Sequence, residues 1–278
     1  MKDNKKHKKA EYGILITGLI ILLAATFVTA LCAGQYSVSV PEVTKILASR
    51  FVNVTKTWSN TAEGVVFTLR LPRIIGAVLV GSALSLSGAA YQGVFKNPLV
   101  APDLLGVSSG ACVGASVAIL LHLNSFGVQA MAFVAGILAV GLTLFIPRLI
   151  KNTNMTMLVL SGIIVKGIMD SVMGIIKYVA DPETELQSIT YWQLGSLTKV
   201  LPKDLFTVEP VIVAASVIIF LLRWRINILS LGDREAKTLG VSVTVVRNFI
   251  IICATLLTAS AVCISGTIGW IGLVIPHL

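Results

Sequence analysis

The chain has 278 residues, of which 55% are hydrophobic and only 13% are charged, whereas a typical soluble domain has about 25% charged residues. With a mean hydropathy of +0.89, this composition excludes a disordered chain and argues against an ordinary soluble globule, so it indicates a protein whose main solvent is lipid. The net charge of +9 does not indicate nucleic-acid binding, because the first ten residues alone hold five lysines against one aspartate, which is typical of a flank beside a membrane span.

Apolar runs follow one another along the chain. A bilayer core of about 30 Å needs about 20 apolar residues in a helix. The first run is interpreted as a retained helix, because no small-x-small cleavage site follows it. The sequence predicts an all-α transmembrane bundle of about seven spans and a partial eighth from Ile268, the seven being Tyr12–Ala33, Ile74–Phe95, Val107–Leu121, Val128–Ile150, Met157–Val179, Val208–Leu222 and Val245–Ser265.

The connections between these runs predict how the chain lies in the membrane. With the N-terminus in the cytoplasm, the inside segments hold more Lys and Arg than the outside segments, as membrane proteins generally do. Residues 1–11 then form a basic cytoplasmic tail. Arg70 and Arg73 fall in an outside segment, against this rule, and need a separate reason. In the same loop the apolar residues Val43, Ile46 and Leu47 predict a short amphipathic helix on the surface.

Motifs for bond chemistry are missing from the sequence. It has no GxxxxGK[ST] phosphate loop, no HExxH and no nucleophile elbow, and its three histidines are scattered. The four cysteines form no CxxC pair. We therefore expect no catalytic residue, no metal site and no cofactor. Any uphill transport then takes its energy from a partner protein or from an ion gradient.

Two charged residues, Lys166 and Asp170, lie inside the fifth apolar run. Charges within a membrane span usually face a cavity or a partner. The functional interpretation is that both line a central pathway, where Lys166 favours an anionic cargo. The structural alternative is a mutually neutralising pair, because residues four apart are neighbours on a helix.

Small residues recur every four positions in the second and third runs. This spacing places them on one helix face, where they let two backbones approach closely. By itself the pattern predicts only helix packing. The residues concerned are Gly81, Ser85 and Ala89, then Gly106, Gly110 and Gly114.

The order of residues around these stripes is more specific. The stretch contains RLPR at 70–73, QG at 92–93, NPL at 97–99 and LLGVSSGA at 104–111. Later stretches read YWQLGSL at 191–197 and ISGTIGWIGLVIPH at 264–277. Together these motifs resemble the FecCD family of ABC-transporter permeases, the membrane subunits of importers for iron–siderophore complexes, haem and vitamin B12.

The resemblance implies a function and a set of partners. The chain is expected to be a permease subunit that translocates an iron–siderophore complex across the cytoplasmic membrane of a prokaryote. Its expected partners are two cytoplasmic ATPase subunits, a second permease, an extracytoplasmic substrate-binding protein and the lipid bilayer, with no nucleic acid. Haem or cobalamin import remains an alternative within the family, and ion-coupled secondary transport is an alternative from another class.

The resemblance also implies an organisation for the chain. Residues 1–278 are expected to form a single permease domain that includes a cytoplasmic coupling helix at 229–241. The family usually has ten spans, and this sequence ends inside the eighth, so about two further spans of the family domain are expected to be missing.

Site residues are carried over from the family motifs. Arg70 and Arg73 are expected to dock the binding protein at the outer mouth, and the turn holding Asn154 and Thr156 is expected to close the pathway on the inner side. Contact with the ATPase is expected from Leu231, Gly232, Asp233, Glu235, Ala236, Leu239 and Gly240.

Overall fold

The computed structural model describes residues 2–152, 154–198 and 200–278. Every regular element in this part of the chain is helical, which confirms the predicted all-α bundle. The chain divides into two compact units, Met1–Ile75 and Gly76–Leu278. The single permease domain expected from the family stays a prediction.

Helices follow in the predicted order. Within the described part of the chain, six helical stretches are long and apolar enough to cross a membrane, and α5 is a shorter apolar helix. The partial eighth run forms only α12 and a 3₁₀ turn, Ile275–His277. The α-helices are α1 (Lys2–Cys32), α2 (Val40–Ala48), α3 (Asn60–Gly64), α4 (Leu71–Phe95), α5 (Val107–Leu120), α6 (Ser125–Leu149), α7 (Met155–Val179), α8 (Glu185–Leu194), α9 (Pro202–Leu231), α10 (Asp233–Thr238), α11 (Val243–Ser265) and α12 (Ile271–Val274).

The first unit has a small apolar core beneath α2. Val43 and Ile46 of α2 are buried against Leu31 and Trp58. The predicted amphipathic helix is therefore present, and its apolar face packs against its own unit. In α1 only 6% of the apolar window within Glu11–Cys32 is buried, as expected for a helix whose apolar surface needs lipid around it.

The second predicted span starts earlier than expected. A π-helical segment, Val65–Arg70, joins α3 to α4, so the helix is continuous from Asn60 to Phe95. Pro72 lacks an N–H and cannot complete an ordinary α-helical turn, and a π-segment is a known place for such a change in hydrogen-bond register. Arg70 and Arg73 consequently lie within a helix, and Pro72 does not mark the start of one.

Helices α5 and α11 form the centre of the second unit. The apolar stretch of α11 is 72% buried. Two buried hydrogen bonds of 3.0 Å fasten α11 to α4: Ser87 Oγ with Thr258 Oγ1, and the Tyr91 hydroxyl with Thr255 Oγ1. Interhelical hydrogen bonds of this kind stabilise helix packing where water is absent.

In α5 the small residues allow close packing against a neighbouring helix, as predicted. A Cβ at Gly110 would lie 2.7 Å from the Ala135 carbonyl oxygen of α6, and one at Gly114 would lie 2.6 Å from the Ala135 Cβ. The two backbones therefore touch along this face. In α4 the outcome differs, because a Cβ at Gly81 would have no neighbour within 4 Å.

Candidate functional site

A cleft of about 310 Å³ opens in the second unit. It lies between the connection from α4 to α5, the first turns of α5, the middle of α7 and the chain that follows α11, and single residues of α4, α8 and α11 complete its wall. Its polar and charged lining residues include Asp103, Ser108, Ser109, Lys166, Asp170, Gln193, Thr258 and Thr267. The mixed lining suits a solute that is passed along without tight binding.

Two glycines, Gly106 and Gly162, help to place Asp103 at the cleft. Asp103 lies in a 3₁₀ turn, Pro102–Leu105, that ends at Gly106 with a φ of 81°. This left-handed conformation favours glycine. On the facing helix, a Cβ at Gly162 would lie 3.3 Å from the Leu105 Cα. The missing side chain lets α7 press against the turn that carries Asp103.

Lys166 forms an ion pair with Asp103. The Lys166 Nζ lies 2.9 Å from the Asp103 Oδ2, and the other carboxylate oxygen accepts the Ser108 N–H at 3.0 Å. The ion-pair partner of Lys166 is therefore Asp103 and not Asp170, which the structural alternative had named, and the place of Lys166 and Asp170 in a central pathway stays a prediction. Helical spacing makes residues four apart neighbours, but it cannot show a carboxylate brought from another segment.

The charge balance of the cleft follows from this pairing. Asp170 also lines the cleft, so two carboxylates surround one ammonium group. The expectation that Lys166 offers a free positive charge to an anionic cargo is therefore not met.

The rim of the cleft is formed by α8 and the segment after α11. The Thr267 hydroxyl donates to the Gln193 carbonyl oxygen, and the Ser196 N–H donates to the Ser265 carbonyl oxygen. Trp270 lies on this rim with its side chain 77% exposed. Its backbone has a φ of 70°, which is unusual for a bulky residue and typical of functional positions.

The predicted coupling segment is divided between two helices. Helix α9 continues to Leu231, Gly232 interrupts the helical backbone, and α10 covers Asp233–Thr238. Leu239 and Gly240 follow it. Leu231, Glu235 and Leu239 are exposed, whereas Ala236 is fully buried. Only some of the seven predicted coupling residues are therefore available for contact with a partner protein.

Asp233 is paired with two basic side chains of its own chain. The Lys96 ammonium group lies 2.7 Å from the Asp233 Oδ1, and the Arg247 guanidinium donates to both carboxylate oxygens at 2.8 Å. The Arg247 side chain is only 13% exposed. The hydrogen bond from Arg247 and then that from Lys96 lower the pKa of Asp233 below its ordinary value. The carboxylate thus ties α10 to the ends of α4 and α11.

The two arginines of the RLPR motif have different surroundings. The Arg70 guanidinium donates to the carbonyl oxygens of Leu31 at 2.7 Å and Cys32 at 3.2 Å, and to that of Tyr36. Arg73 is half-buried beside it and lines the same cavity of about 430 Å³ in the first unit. Arg70 is thus engaged within its own unit.

The remaining pathway candidates, Asn154 and Thr156, lie at the N-terminal end of α7. The Asn154 side chain caps this helix by accepting the Met157 N–H at 2.8 Å, and Thr156 is exposed in the first turn. Twelve residues of helix place Asn154 about 18 Å from Lys166 along the axis. The structure therefore brings Lys166 and Asp170 to the cleft and leaves Asn154 and Thr156 away from it.

Three charged residues at these sites were missed in the sequence: Lys96, Asp103 and Arg247. Asp103 lies between the NPL motif at 97–99 and the LLGVSSGA motif at 104–111. A carboxylate within an apolar stretch was the signal that could have revealed it. Lys96 directly follows α4, and Arg247 lies near the start of α11. Basic residues are common at such helix ends. Among the described residues, no group of three or more His, Cys, Asp or Glu side chains is placed to hold a metal ion.

Comparisons with known proteins fit this architecture. The model of the FecCD transport family matches residues 21–278. The molybdate import system permease protein of Haemophilus influenzae is 37% identical over 96% of this chain and 79% of its own length. An iron chelatin transport system permease of Helicobacter pylori is 41% identical over 77% of this chain and 64% of its own length.

A solved structure agrees over nearly the whole chain. It is described as an inward-facing conformation of a metal-chelate type ABC transporter, and it superposes with a TM-score of 0.84 at 34% identity, covering 96% of this chain and 80% of the other. Other relatives are named for cobalamin and hemin transport. The chain therefore belongs to the FecCD transport family and is a permease of the ABC importer type, not an enzyme.

Proposed function

We propose that this permease translocates an iron–siderophore complex. The observation that carries the proposal is the cleft, where Asp103 and Asp170 outnumber Lys166 and the hydroxyl and amide groups are spread along the walls. A large chelate, whose charge is distributed over many atoms, passes such a surface without strong attraction or repulsion. The Helicobacter pylori relative named for iron chelatin supports the same class of cargo.

Molybdate is the second candidate. The Haemophilus influenzae relative named for molybdate import matches 96% of this chain. A small, doubly charged oxyanion needs concentrated positive charge or several aligned donors. In the cleft the one ammonium group is already paired with Asp103, and this charge balance favours the chelate. Haem and cobalamin, for which other relatives are named, stay open within the chelate class.

We propose the orientation from the charge bias of the sequence, with the N-terminus in the cytoplasm. In that orientation α10 lies on the cytoplasmic side, where the exposed residues Glu235 of α10 and Leu239 just after it contact an ATPase. Arg73 then lies at the outer face, where its guanidinium donates hydrogen bonds to a carboxylate of the substrate-binding protein. Asn154 and Thr156 lie on the inner side, near the exit of the pathway.

The mechanism is alternating access. ATP binding and hydrolysis in two partner ATPases move α10 of each permease, and the two permeases expose their shared pathway to one side of the membrane and then to the other. The energy comes from the partners, because this chain has no phosphate loop. Membership of an ABC permease family decides against the ion-coupled alternative.

Uptake by the assembled transporter tests the cargo. The permease, its cognate ATPase and its binding protein are reconstituted in proteoliposomes and offered radioactive iron in a panel of siderophores, haem, cobalamin and molybdate. ATP-driven accumulation of an iron–siderophore complex in preference to molybdate is the expected result. Accumulation of molybdate alone would contradict the proposal.

A further inference from the structure

The segment between α4 and α5 carries an ion pair at each of its ends. Lys96 pairs with Asp233 of α10 at 2.7 Å, and Asp103, seven residues later, pairs with Lys166 of α7 at 2.9 Å. We infer that residues 96–103, here called the connector, link α10 to the cleft, with Lys96 and Asp103 as positioning residues. The inference rests on the proposed role of α10 as the helix that receives motion from the ATPase.

The connector is stiff enough for this role. The Asn97 side chain accepts the Leu99 N–H at 2.9 Å, which fixes a tight turn, and Pro98 restricts the same turn. At the other end, Pro102 begins the 3₁₀ turn that holds Asp103. We therefore expect a displacement of Lys96 to shift Asp103 as well, because the segment between them is stiff.

The middle of the connector is braced as well. The Gln92 amide donates to the carbonyl oxygens of Val100 at 3.4 Å and Leu273 at 3.1 Å, and His277 Nε2 lies 2.9 Å from the Pro98 carbonyl oxygen. The connector thus moves as one body with the end of α4 and with α12. Its two ion pairs are its charged contacts with α10 and α7.

The two ends differ in what remains when their ion pair is removed. Loss of the Lys96 charge leaves Asp233 paired with Arg247 at 2.8 Å, so α10 stays attached to α11. Loss of the Asp103 charge frees Lys166, while the cleft keeps Asp170. Each change removes one of these ion pairs and leaves the packing contacts between the helices in place.

The test measures cargo moved per ATP hydrolysed in proteoliposomes that contain the complete transporter. Lys96→Gln and Asp103→Asn are each expected to lower this ratio about two- to fivefold, the effect of one partly exposed ion pair. Lys96→Gln, which lies outside the cleft lining, leaves basal ATP hydrolysis and copurification with the ATPase normal. Lys96→Arg keeps the charge and restores the ratio. Arg148→Gln, which removes an exposed charge at the end of α6, is the control and leaves the ratio unchanged.

The double variant decides whether the two residues act through one path, since only energetic coupling establishes such a link. If they do, Lys96→Gln with Asp103→Asn is no worse than the more severe single variant. Two effects that multiply, or single variants with the wild-type ratio, would overturn the inference. Should Asp103→Asn fail to assemble, Lys166→Gln breaks the same pair. A wild-type transporter without ATP-driven uptake of any offered cargo would instead count against the proposed function.

Discussion

Arg70 and Arg73 lie three residues apart in one helix, but we expect them to have different roles. Arg70 donates to three backbone carbonyl groups at the end of α1 and in the loop after it. Replacing it with Met leaves those carbonyl groups without a charged donor. We expect Arg70→Met to destabilise the first unit by about 2 kcal/mol, seen as a lower melting temperature in detergent, with Arg70→Lys intermediate.

Charge reversal at Arg73 tests docking separately from folding. Arg73→Glu is expected to weaken binding of the substrate-binding protein most strongly at low salt, because the contact is electrostatic, and to leave the melting temperature unchanged. The measurement is binding-protein affinity for the reconstituted permease across a salt series. Wild-type affinity at every salt concentration would remove Arg73 from the docking surface.

Asp233 gives a prediction about pH. Since Arg247 and Lys96 lower its pKa in the folded protein, the ion pairs stabilise the position of α10 at neutral pH. This stabilisation is lost only as the pH falls through the lowered folded-state pKa. Asp233→Asn is therefore expected to reduce hydrogen-exchange protection of the α10 amides at neutral pH about two- to fivefold.

The wild-type chain should reach the same loss of protection only in acid, below the ordinary range of an aspartate. The control is Asp181→Asn, a change outside α10, which should leave protection of the α10 amides as it is. Equal protection in wild type and Asp233→Asn at neutral pH would show that the ion pairs do not hold α10.

Residue partners were the least predictable feature. The sequence placed Lys166 and Asp170 in the pathway, and both line the cleft. It could not find Asp103 as the partner of Lys166, because the two lie 63 residues apart and meet only through the turn before Gly106. Motif matching located the segments, whereas the contacts between them depend on the packed fold.

Helix α5 shows how a sequence pattern becomes a packing constraint. Gly110→Val would force side-chain atoms into the α6 backbone near Ala135, where the helices have no room to part without losing their other contacts. We expect a loss of about 1–3 kcal/mol or more, measured as a lower melting temperature and a smaller yield of monodisperse protein.

Gly81→Ala is the matched control for that substitution. It lies in the same kind of pattern, but a Cβ there has no neighbour within 4 Å. The expected result is unchanged or slightly higher stability, because alanine favours the helix over glycine. A neutral Gly110→Val variant would contradict the close α5–α6 contact.

Helix α10 and the residue that follows it offer two side chains with opposite exposure. Leu239 is 60% exposed, whereas Ala236 is 0% exposed. Leu239→Asp is expected to lower ATPase copurification without a change in melting temperature. Ala236→Asp is expected to lower both, because it buries a charge beneath α10. Normal copurification of the Leu239 variant would place the ATPase contact elsewhere.

The helices themselves were largely predictable. Apolar runs found every long helix, because a span must be both long and apolar. The boundaries were less accurate: α4 continues back through the π-segment to Asn60, and α9 extends to Leu231. Hydropathy does not record where a helix continues beyond its apolar part, so these ends required the structure.

At the scale of the whole molecule, the low charge content of the sequence has a structural counterpart. Many large apolar side chains of α1, α6, α7 and α9 are exposed, as expected for helices that lie in lipid. Among the charged groups, Asp103, Lys166 and Asp170 line the cleft, and Lys96, Asp233 and Arg247 form a second cluster. That distribution agrees with a permease that conducts a solute and takes its energy from another chain.

ATP-dependent uptake is the most direct test of this account. Proteoliposomes with the permease, its ATPase and its binding protein are given an iron–siderophore complex, with ATP or with an imposed proton or sodium gradient. The account predicts uptake that requires ATP and the binding protein and is unaffected by dissipating the gradients. Uptake driven by a gradient without ATP would contradict it.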